Sequence, residues 1–146
     1  MDKKISIILS TYNEAPFVVQ TINEILNNIK NVEIILVDDN SPDGTLEKVK
    51  NVNNPNIKIF SRKFRGLASA FLLGLINSSG DIVGWVDSNM KSAAAKLPEM
   101  IDQLNNNDVV LLSRYVEGGS DKRSKQRIFC SKLINNFLFL IYSIHV

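Results

Sequence analysis

Apolar residues fall along the chain in two kinds of run: compact clusters of strand length, and longer stretches spaced three and four residues apart. Ile5 to Leu9 is a cluster of the buried-strand type and ends in the polar loop Ser10-Thr11-Tyr12-Asn13-Glu14. Val18, Ile22, Ile25, Leu26 and Ile29 follow at helical spacing, with Pro16 suited to the first turn. The pattern then repeats. Glu33 to Val37 predicts a second strand, Ser41-Pro42 a helix cap and first turn, and a short helix runs to about Val52. Asn53-Asn54-Pro55-Asn56 is turn chemistry, and Ile57 to Phe60 predicts a third strand.

Gly66, Ala70 and Gly74 recur every fourth residue and so share one helix face, with Leu67, Phe71, Leu72 and Leu75 on the flanks. Glycine costs about 1 kcal/mol inside a helix, so this face is expected to lie close to other backbone or to a ligand. Ser79-Gly80 stops the helix and Asp81 to Val86 predicts strand four. Pro98 opens a helix with Met100, Ile101 and Leu104 inward, and Asp108 to Leu112 reads as strand five. A last helix starts near Lys125 and carries Ile128, Phe129, Leu133, Ile134, Phe137, Leu138, Ile141 and Tyr142. Strands alternating with helices over short links predict an α/β fold, a mostly parallel sheet with helices on both faces. No internal repeat or low-complexity segment interrupts it.

The chemistry gathers where the apolar runs turn polar. Ile82 to Val86 gives way to Asp87-Ser88-Asn89, and Ile34 to Val37 gives way to Asp38-Asp39. Open α/β sheets bind ligands at the carboxyl ends of their strands. Two such ends tipped with carboxylate suggest one crevice that holds a polyanion through a bridging cation. The turn after strand one, Thr11 to Glu14, contains no glycine, which excludes the usual pyrophosphate-cradling turn, and a P-loop is absent. That turn offers instead an aromatic plate, Tyr12, and a carboxylate, Glu14. Tyr12 is either a stacking surface for a nucleobase or an ordinary rim tyrosine. Asp39 is placed to accept hydrogen bonds from a base or ribose, and Asp38 to orient neighbouring backbone. Asp43 with Thr45 fits a local helix-start network. Arg62, Lys63 and Arg65 follow strand three and offer cations for a diphosphate; any one of them also fits a solvated surface.

The formal net charge of +2, from 17 basic and 15 acidic residues, is too small to indicate nucleic-acid binding. The distribution is uneven: Arg114 to Lys132 carries +4 and the rest of the chain −2. A local basic patch fits a phosphate-bearing ligand, and equally a solvated face before an apolar helix. The single cysteine, Cys130, excludes an internal disulfide and fits a reducing compartment. Met1-Asp2-Lys3-Lys4 leads into a strand rather than a signal-peptide core, and the apolar tail from 137 to 146 is shorter than the roughly twenty residues a span needs. The only histidine, His145, sits in that tail and is read as a surface residue.

Taken together, Ser10-Thr11-Tyr12-Asn13-Glu14, Val37-Asp38-Asp39-Asn40-Ser41-Pro42-Asp43-Gly44-Thr45, Arg65-Gly66 with Ala70 and Gly74, Ser79-Gly80-Asp81, Asp87, and Ser113-Arg114-Tyr115-Val116-Glu117-Gly118-Gly119 resemble family 2 glycosyltransferases. The nearest likeness is to the dolichol-phosphate mannosyltransferase, or polyprenyl-phosphate glycosyltransferase, branch. It runs in order from residue 5 to about 132. The resemblance implies a Rossmann-like GT-A fold over residues 1–120, followed by a basic then apolar C-terminal amphipathic helix, 121–146, expected to be cut short. It implies an enzyme that transfers a mannose- or glucose-type hexose with inversion from a nucleotide sugar, such as GDP-mannose, to a polyprenyl or dolichyl phosphate.

By the family's pattern Tyr12, Glu14 and Asp39 would contact the nucleoside; Thr11 and Gly66, with Arg62 and Lys63 as cations for the diphosphate, complete the expected nucleotide-binding set. Asp87 and Asn89 would hold Mg²⁺ or Mn²⁺ on the diphosphate, and Arg114 and Arg127 would bind phosphates of donor and acceptor. Expected partners are the donor, the lipid-phosphate acceptor, and a membrane surface or membrane subunit, with the protein cytoplasmic and peripheral at the inner face. The chain departs from the pattern in three places: Asn89 stands where the family has a second aspartate, Lys91 adds positive charge beside it, and Ser120 to Gln126 lack the usual tryptophan and proline. A glycan acceptor, or a weakened nucleotide-sugar-binding homologue serving as a partner subunit, are the alternatives. A receiver-like phosphoacceptor domain would need a lysine where Ser113-Arg114 stand.

Overall fold

The computed structural model describes residues 3–113 and 124–142. The chain divides into two compact units, Met1–Val110 and Leu111–Val146. In the first unit the order is β1 (Ile5–Thr11), α1 (Val18–Asn28), β2 (Val32–Asp38), α2 (Thr45–Val52), β3 (Ile57–Ser61), α3 (Leu67–Ile76), β4 (Ile82–Asp87), α4 (Lys91–Ala94) and α5 (Leu97–Gln103). The second unit contains α6 (Lys125–Tyr142). The expected boundary between residues 120 and 121 lies outside the described residues.

The four strands are ordered β3-β2-β1-β4 and every pairing is parallel. β1 and β2 are central, which is why their apolar runs are nearly unbroken: a parallel strand covered on both faces has no solvent side on which to place polar residues. On one face Ile7, Leu9, Ile34 and Leu36 pack with Val18, Ile22 and Ile25 of α1, Val49 of α2, Ala94 of α4 and Leu97 at the start of α5. On the other face Ile35 and Val37 meet Ala70 of α3, with Phe60 and Leu73 at the edge. Leu36 is fully buried, so its truncation to alanine would cost about 2–5 kcal/mol.

Register carries the fold into the site. Thr11 pairs with Asp38, and Ser10 with Asp87, so the two acidic strand ends emerge on either side of the end of β1. At the opposite end of the sheet the buried Glu33 accepts hydrogen bonds from the Ser6 hydroxyl at 2.6 Å and the Ser79 amide at 2.6 Å, and pairs with Lys58 at 2.9 Å and Lys4 at 3.2 Å. A hollow of about 440 Å³ beside Lys4, Lys30, Glu33 and Lys58 lies at that end, away from the acidic strand ends.

Four expectations need correction. The glycine-bearing face is split: Gly74 lies inside α3, where an added Cβ would come within 2.5 Å of Ile8 Cγ2, but Gly66 is the N-cap residue with φ of +155°. Ser41-Pro42 do not start α2. The helix begins at Thr45, whose amide and hydroxyl both donate to Asp43 Oδ1, at 3.1 and 2.5 Å, as the helix-start reading of that pair expected. Pro16 lies in the turn before α1 rather than in its first turn. Asp108 to Leu112 form no strand: Val109 and Leu111 are 71% and 82% exposed, and no described strand lies alongside to complete a ladder. β-propensity without a hydrogen-bonding neighbour does not make a strand.

Candidate functional site

A cleft of about 380 Å³ opens at the carboxyl ends of the strands, lined by Ser10, Thr11, Tyr12, Glu14, Asp39, Arg65, Leu67, Ala70, Asp87, Ser88 and Asn89. Its walls are three loops, and their hydrogen bonds show which acids are committed to structure and which face the cleft.

Asp38 is fully buried and builds the loop after β2. It accepts from the Thr11 hydroxyl at 2.9 Å, the Ser41 amide at 2.8 Å and the Ser41 hydroxyl at 2.5 Å. This is the backbone-orienting part expected of it. Ser41 in turn accepts the Asn13 amide at 3.0 Å, Thr45 accepts the Glu14 amide at 3.0 Å, and Asp43 accepts the Ala15 amide at 3.0 Å. Three consecutive amides of the loop after β1 are thus held by the loop after β2, with Asn13 and Asn40 in the left-handed region that asparagine tolerates. Burial alone would raise the Asp43 pKa, but its hydrogen bonds from Thr45 and Ala15 outweigh that and hold the carboxyl below its ordinary value.

Asp39 faces the other way. Its Oδ1 pairs with Arg62 Nε at 2.5 Å and its Oδ2 accepts the Gly66 amide at 3.0 Å. The Arg62 guanidinium also donates to Ser69 Oγ at 2.8 Å and to the Gly66 carbonyl at 2.5 Å. Arg62 therefore binds the loop before α3 to the end of β2, and all three of its nitrogens are engaged with protein. Lys63 is exposed and does not line the cleft. Arg65 does line it. Its guanidinium lies 3.8 Å from the centroid of the Tyr12 ring and donates to the Tyr12 hydroxyl.

On the β4 side, Asn89 Nδ2 donates to Glu14 Oε1 at 3.1 Å. Burial raises the Glu14 pKa; the Asn89 hydrogen bond opposes this, and the nearby charges of Asp87 and Asp43 add to it, so the net shift is upward. The turn is closed by the Met90 amide on the Asp87 carbonyl at 3.0 Å and anchored by the buried Thr21 hydroxyl, which donates to the Ser88 carbonyl at 2.7 Å. Thr21 escaped the sequence reading, although a polar residue on the buried stripe of Val18, Ile22 and Ile25 was the signal for it. Lys91 reaches back to Glu24 of α1 at 3.6 Å. The hydroxyls of Ser10 and Ser88 are buried without a hydrogen-bond partner, and both residues line the cleft.

Oxygen donors suit a hard divalent cation, and Asp87, Asn89 and Glu14 provide two carboxylates and one amide oxygen in one cleft. Among the described residues no group of three histidine, cysteine, aspartate or glutamate side chains could hold a metal ion, so the amide is needed to complete a set. Arg114 lies outside the described residues. Arg127 is exposed on α6 of the second unit, which also exposes Phe129, Leu133, Ile134 and Phe137. No helix of the described residues is long and apolar enough to cross a membrane.

The chain is similar to the dolichol-phosphate mannosyltransferase of Pyrococcus furiosus, 36% identical over 121 residues, covering 80% of this chain and 34% of that protein. It is also similar to the dolichol-phosphate mannosyltransferase of Saccharomyces cerevisiae, 34% identical over 97 residues, covering 64% of this chain and 36% of the relative. It therefore spans about a third of each. Among solved structures, a mannosyltransferase from Pyrobaculum calidifontis in complex with GDP-Man and Mn²⁺ superposes with a TM-score of 0.62 at 24% identity, covering 75% of this chain and 34% of that one. That likeness is one of fold, the GT-A arrangement of parallel sheet and helices. The pattern of glycosyl transferase family 2 matches residues 6–143. The chain belongs to glycosyl transferase family 2.

Proposed function

We propose that this chain forms the donor-binding part of a hexosyltransferase that moves a mannose- or glucose-type sugar from a nucleotide sugar to a polyprenyl or dolichyl phosphate, with inversion. The observation that carries the reading is the pairing of Asp39 on one side of β1 with Asp87 and Asn89 on the other, across a single cleft that includes Tyr12. That arrangement suits a ligand with an uncharged aromatic end and a diphosphate end. The relatives named for transfer to dolichol phosphate favour the lipid acceptor.

In this reading the base stacks on Tyr12, taking the ring face that Arg65 now covers, and the freed Arg65 guanidinium turns to the diphosphate. Asp39, held by Arg62 and the Gly66 amide, accepts hydrogen bonds from base or ribose. Thr11 lines the cleft and sets the loop through Asp38. Asp87 and Asn89 would hold Mg²⁺ or Mn²⁺, which when bound neutralises the departing diphosphate. The acceptor phosphate is ionised at neutral pH and attacks the anomeric carbon without a general base as the bond to the nucleoside diphosphate breaks. Arg114 and Arg127 are assigned to the donor and acceptor phosphates. The exposed aromatics of α6, beside Lys125, Arg127 and Lys132, favour a protein resting peripherally on the cytoplasmic face of a membrane.

Calorimetric titration with GDP-mannose and UDP-glucose, each with and without Mn²⁺, tests the reading. Metal-dependent binding of one donor is the expected result. Asn89 favours a second reading, a weakened homologue that holds the nucleotide without turnover, and donor binding indifferent to Mn²⁺ would select it. A folded chain that binds neither donor would overturn both.

A further inference from the structure

We propose that the hollow at the amino ends of the strands is an anion site that takes a compact phosphate group, such as diphosphate or a phosphate monoester. It stands apart from the cleft and goes beyond the donor reading, needing neither a nucleotide sugar nor a metal.

Three separate stretches of chain bring a lysine to this hollow of about 440 Å³: Lys4 just before β1, Lys30 in the turn between α1 and β2, and Lys58 on β3. Glu33 is the one carboxylate among the lining residues. Asp81, an acid at the same end of the sheet, is turned to the Lys4 amide at 2.9 Å and does not line the hollow. The walls therefore carry three positive charges against one negative.

That negative charge is fully committed. Glu33 Oε1 accepts from the Ser6 hydroxyl and the Ser79 amide, both at 2.6 Å, and from the Ser79 hydroxyl at 2.9 Å. Glu33 Oε2 pairs with both Lys58 and Lys4, at 2.9 and 3.2 Å. Two ammonium groups so close to one oxygen stand no more than about 6 Å apart and repel each other. An ammonium has three N–H donors. Lys4 gives one to Glu33 and one to Ser79 Oγ, and Lys58 gives one to Glu33 and one to the Asn77 carbonyl, so each keeps one in reserve. Lys30 is exposed and makes no hydrogen bond or ion pair among the described residues.

Each lysine taken alone has a plain structural use. A cation past the end of α1, where Lys30 lies, suits the helix dipole, and a lysine on an edge strand, as Lys58 is on β3, deters strand pairing. Neither use calls for three lysines around one hollow or for two on one oxygen. A multivalent oxyanion answers both features, because it accepts the N–H groups left over and offsets the repulsion with opposite charge. The excess of positive charge disfavours a cation, and the polar walls disfavour an apolar ligand.

The test is an amide-resolved NMR titration of the full 146-residue chain with pyrophosphate, without metal, together with the melting temperature. Saturable shifts at Asn31, Glu33 and Asn56 and a rise in melting temperature are expected. Lys30→Gln removes the unpaired cation and no contact. It should melt like wild type without ligand, yet bind pyrophosphate about five- to tenfold more weakly, whereas Lys30→Arg should bind it like wild type. Phosphatidylcholine vesicles with and without phosphatidic acid distinguish the source of the phosphate. Sedimentation with phosphatidic acid that Lys30→Gln abolishes would place it on a lipid, and pyrophosphate binding alone would make it a free anion. Shifts confined to Thr11, Tyr12 and Gly66, unchanged affinity in Lys30→Gln, or binding of neither probe would overturn the assignment. Shifts at those three cleft residues report on the donor site in the same spectra, so the two readings fail separately.

Discussion

Thr21 is fully buried on α1, and its hydroxyl donates at 2.7 Å to the carbonyl of Ser88, the residue between the two β4 donors. Thr21→Val keeps the side-chain shape and removes only the donor, leaving the Ser88 carbonyl buried without this bond. An unsatisfied buried acceptor costs about 1–3 kcal/mol, and the added methyl recovers about 0.8 kcal/mol at most, so a net loss of about 1–2 kcal/mol is expected. Thr21→Ser is the counterpart: it keeps the donor and deletes one methyl, at about 1 kcal/mol. The two variants should therefore unfold at similarly reduced urea concentrations. Mn²⁺ binding should separate them, because only the valine releases the turn that positions Asp87 and Asn89. A loss of affinity of about tenfold in Thr21→Val, with near wild-type binding in Thr21→Ser, is the predicted pattern. Equal affinities in the two variants, or a Thr21→Val protein as stable as wild type, would refute the anchoring argument.

Other outcomes follow from the same geometry. Asp39→Asn takes the charged partner from Arg62, whose side chain is only 14% exposed, and urea unfolding should show a loss of about 1.5–3 kcal/mol, the worth of a hydrogen bond to a charged group; a change below about 0.5 kcal/mol would mean that the pair is not holding the loop before α3. The Glu33 network makes acid sensitivity specific. Burial alone would raise its pKa, but the hydrogen bonds from Ser6, Lys58 and Ser79 win and depress it well below the usual carboxylate range. A depressed carboxyl stabilises fully above its unfolded value of 4.5 and gives that stability up as pH falls below it. Glu33→Gln should therefore lower the melting temperature at pH near 7 and flatten its decline under acid, and an unchanged melting profile from neutral to acid pH would contradict the linkage.

What the sequence made legible follows from where burial dominates. β1 and β2 were readable because a parallel strand buried on both faces must be apolar throughout; β4 keeps an apolar run although it exposes Val83 and Trp85, and the abrupt polar residues at the strand ends marked the cleft. The face of Ala70 and Gly74 was readable for a similar reason, since only small residues allow α3 to sit on Ile8. Properties that depend on a distant partner were hidden. Arg62 looks like any cation until the fold brings Asp39 to it, and Glu14 like a loop acid until Asn89 lies beside it. The Asp108 to Leu112 run has strand composition, yet ladder formation needs a neighbour that composition cannot report. At α2, Ser41 and Asp43 were both credible helix starters; the fold uses Ser41 with Asp38 and leaves the helix start to Asp43.

The central claim is that one cleft has a nucleoside end at Asp39 and a metal end at Asp87. Its most direct test is a calorimetric titration of wild type, Asp39→Asn and Asp87→Asn with the donor that wild type prefers, each with and without Mn²⁺. Asp39→Asn should lose donor binding whether or not Mn²⁺ is present, whereas Asp87→Asn should lose only the part that Mn²⁺ adds. If both folded variants bound the donor as wild type does, with the same response to Mn²⁺, the cleft would not be the donor site and the account would fail.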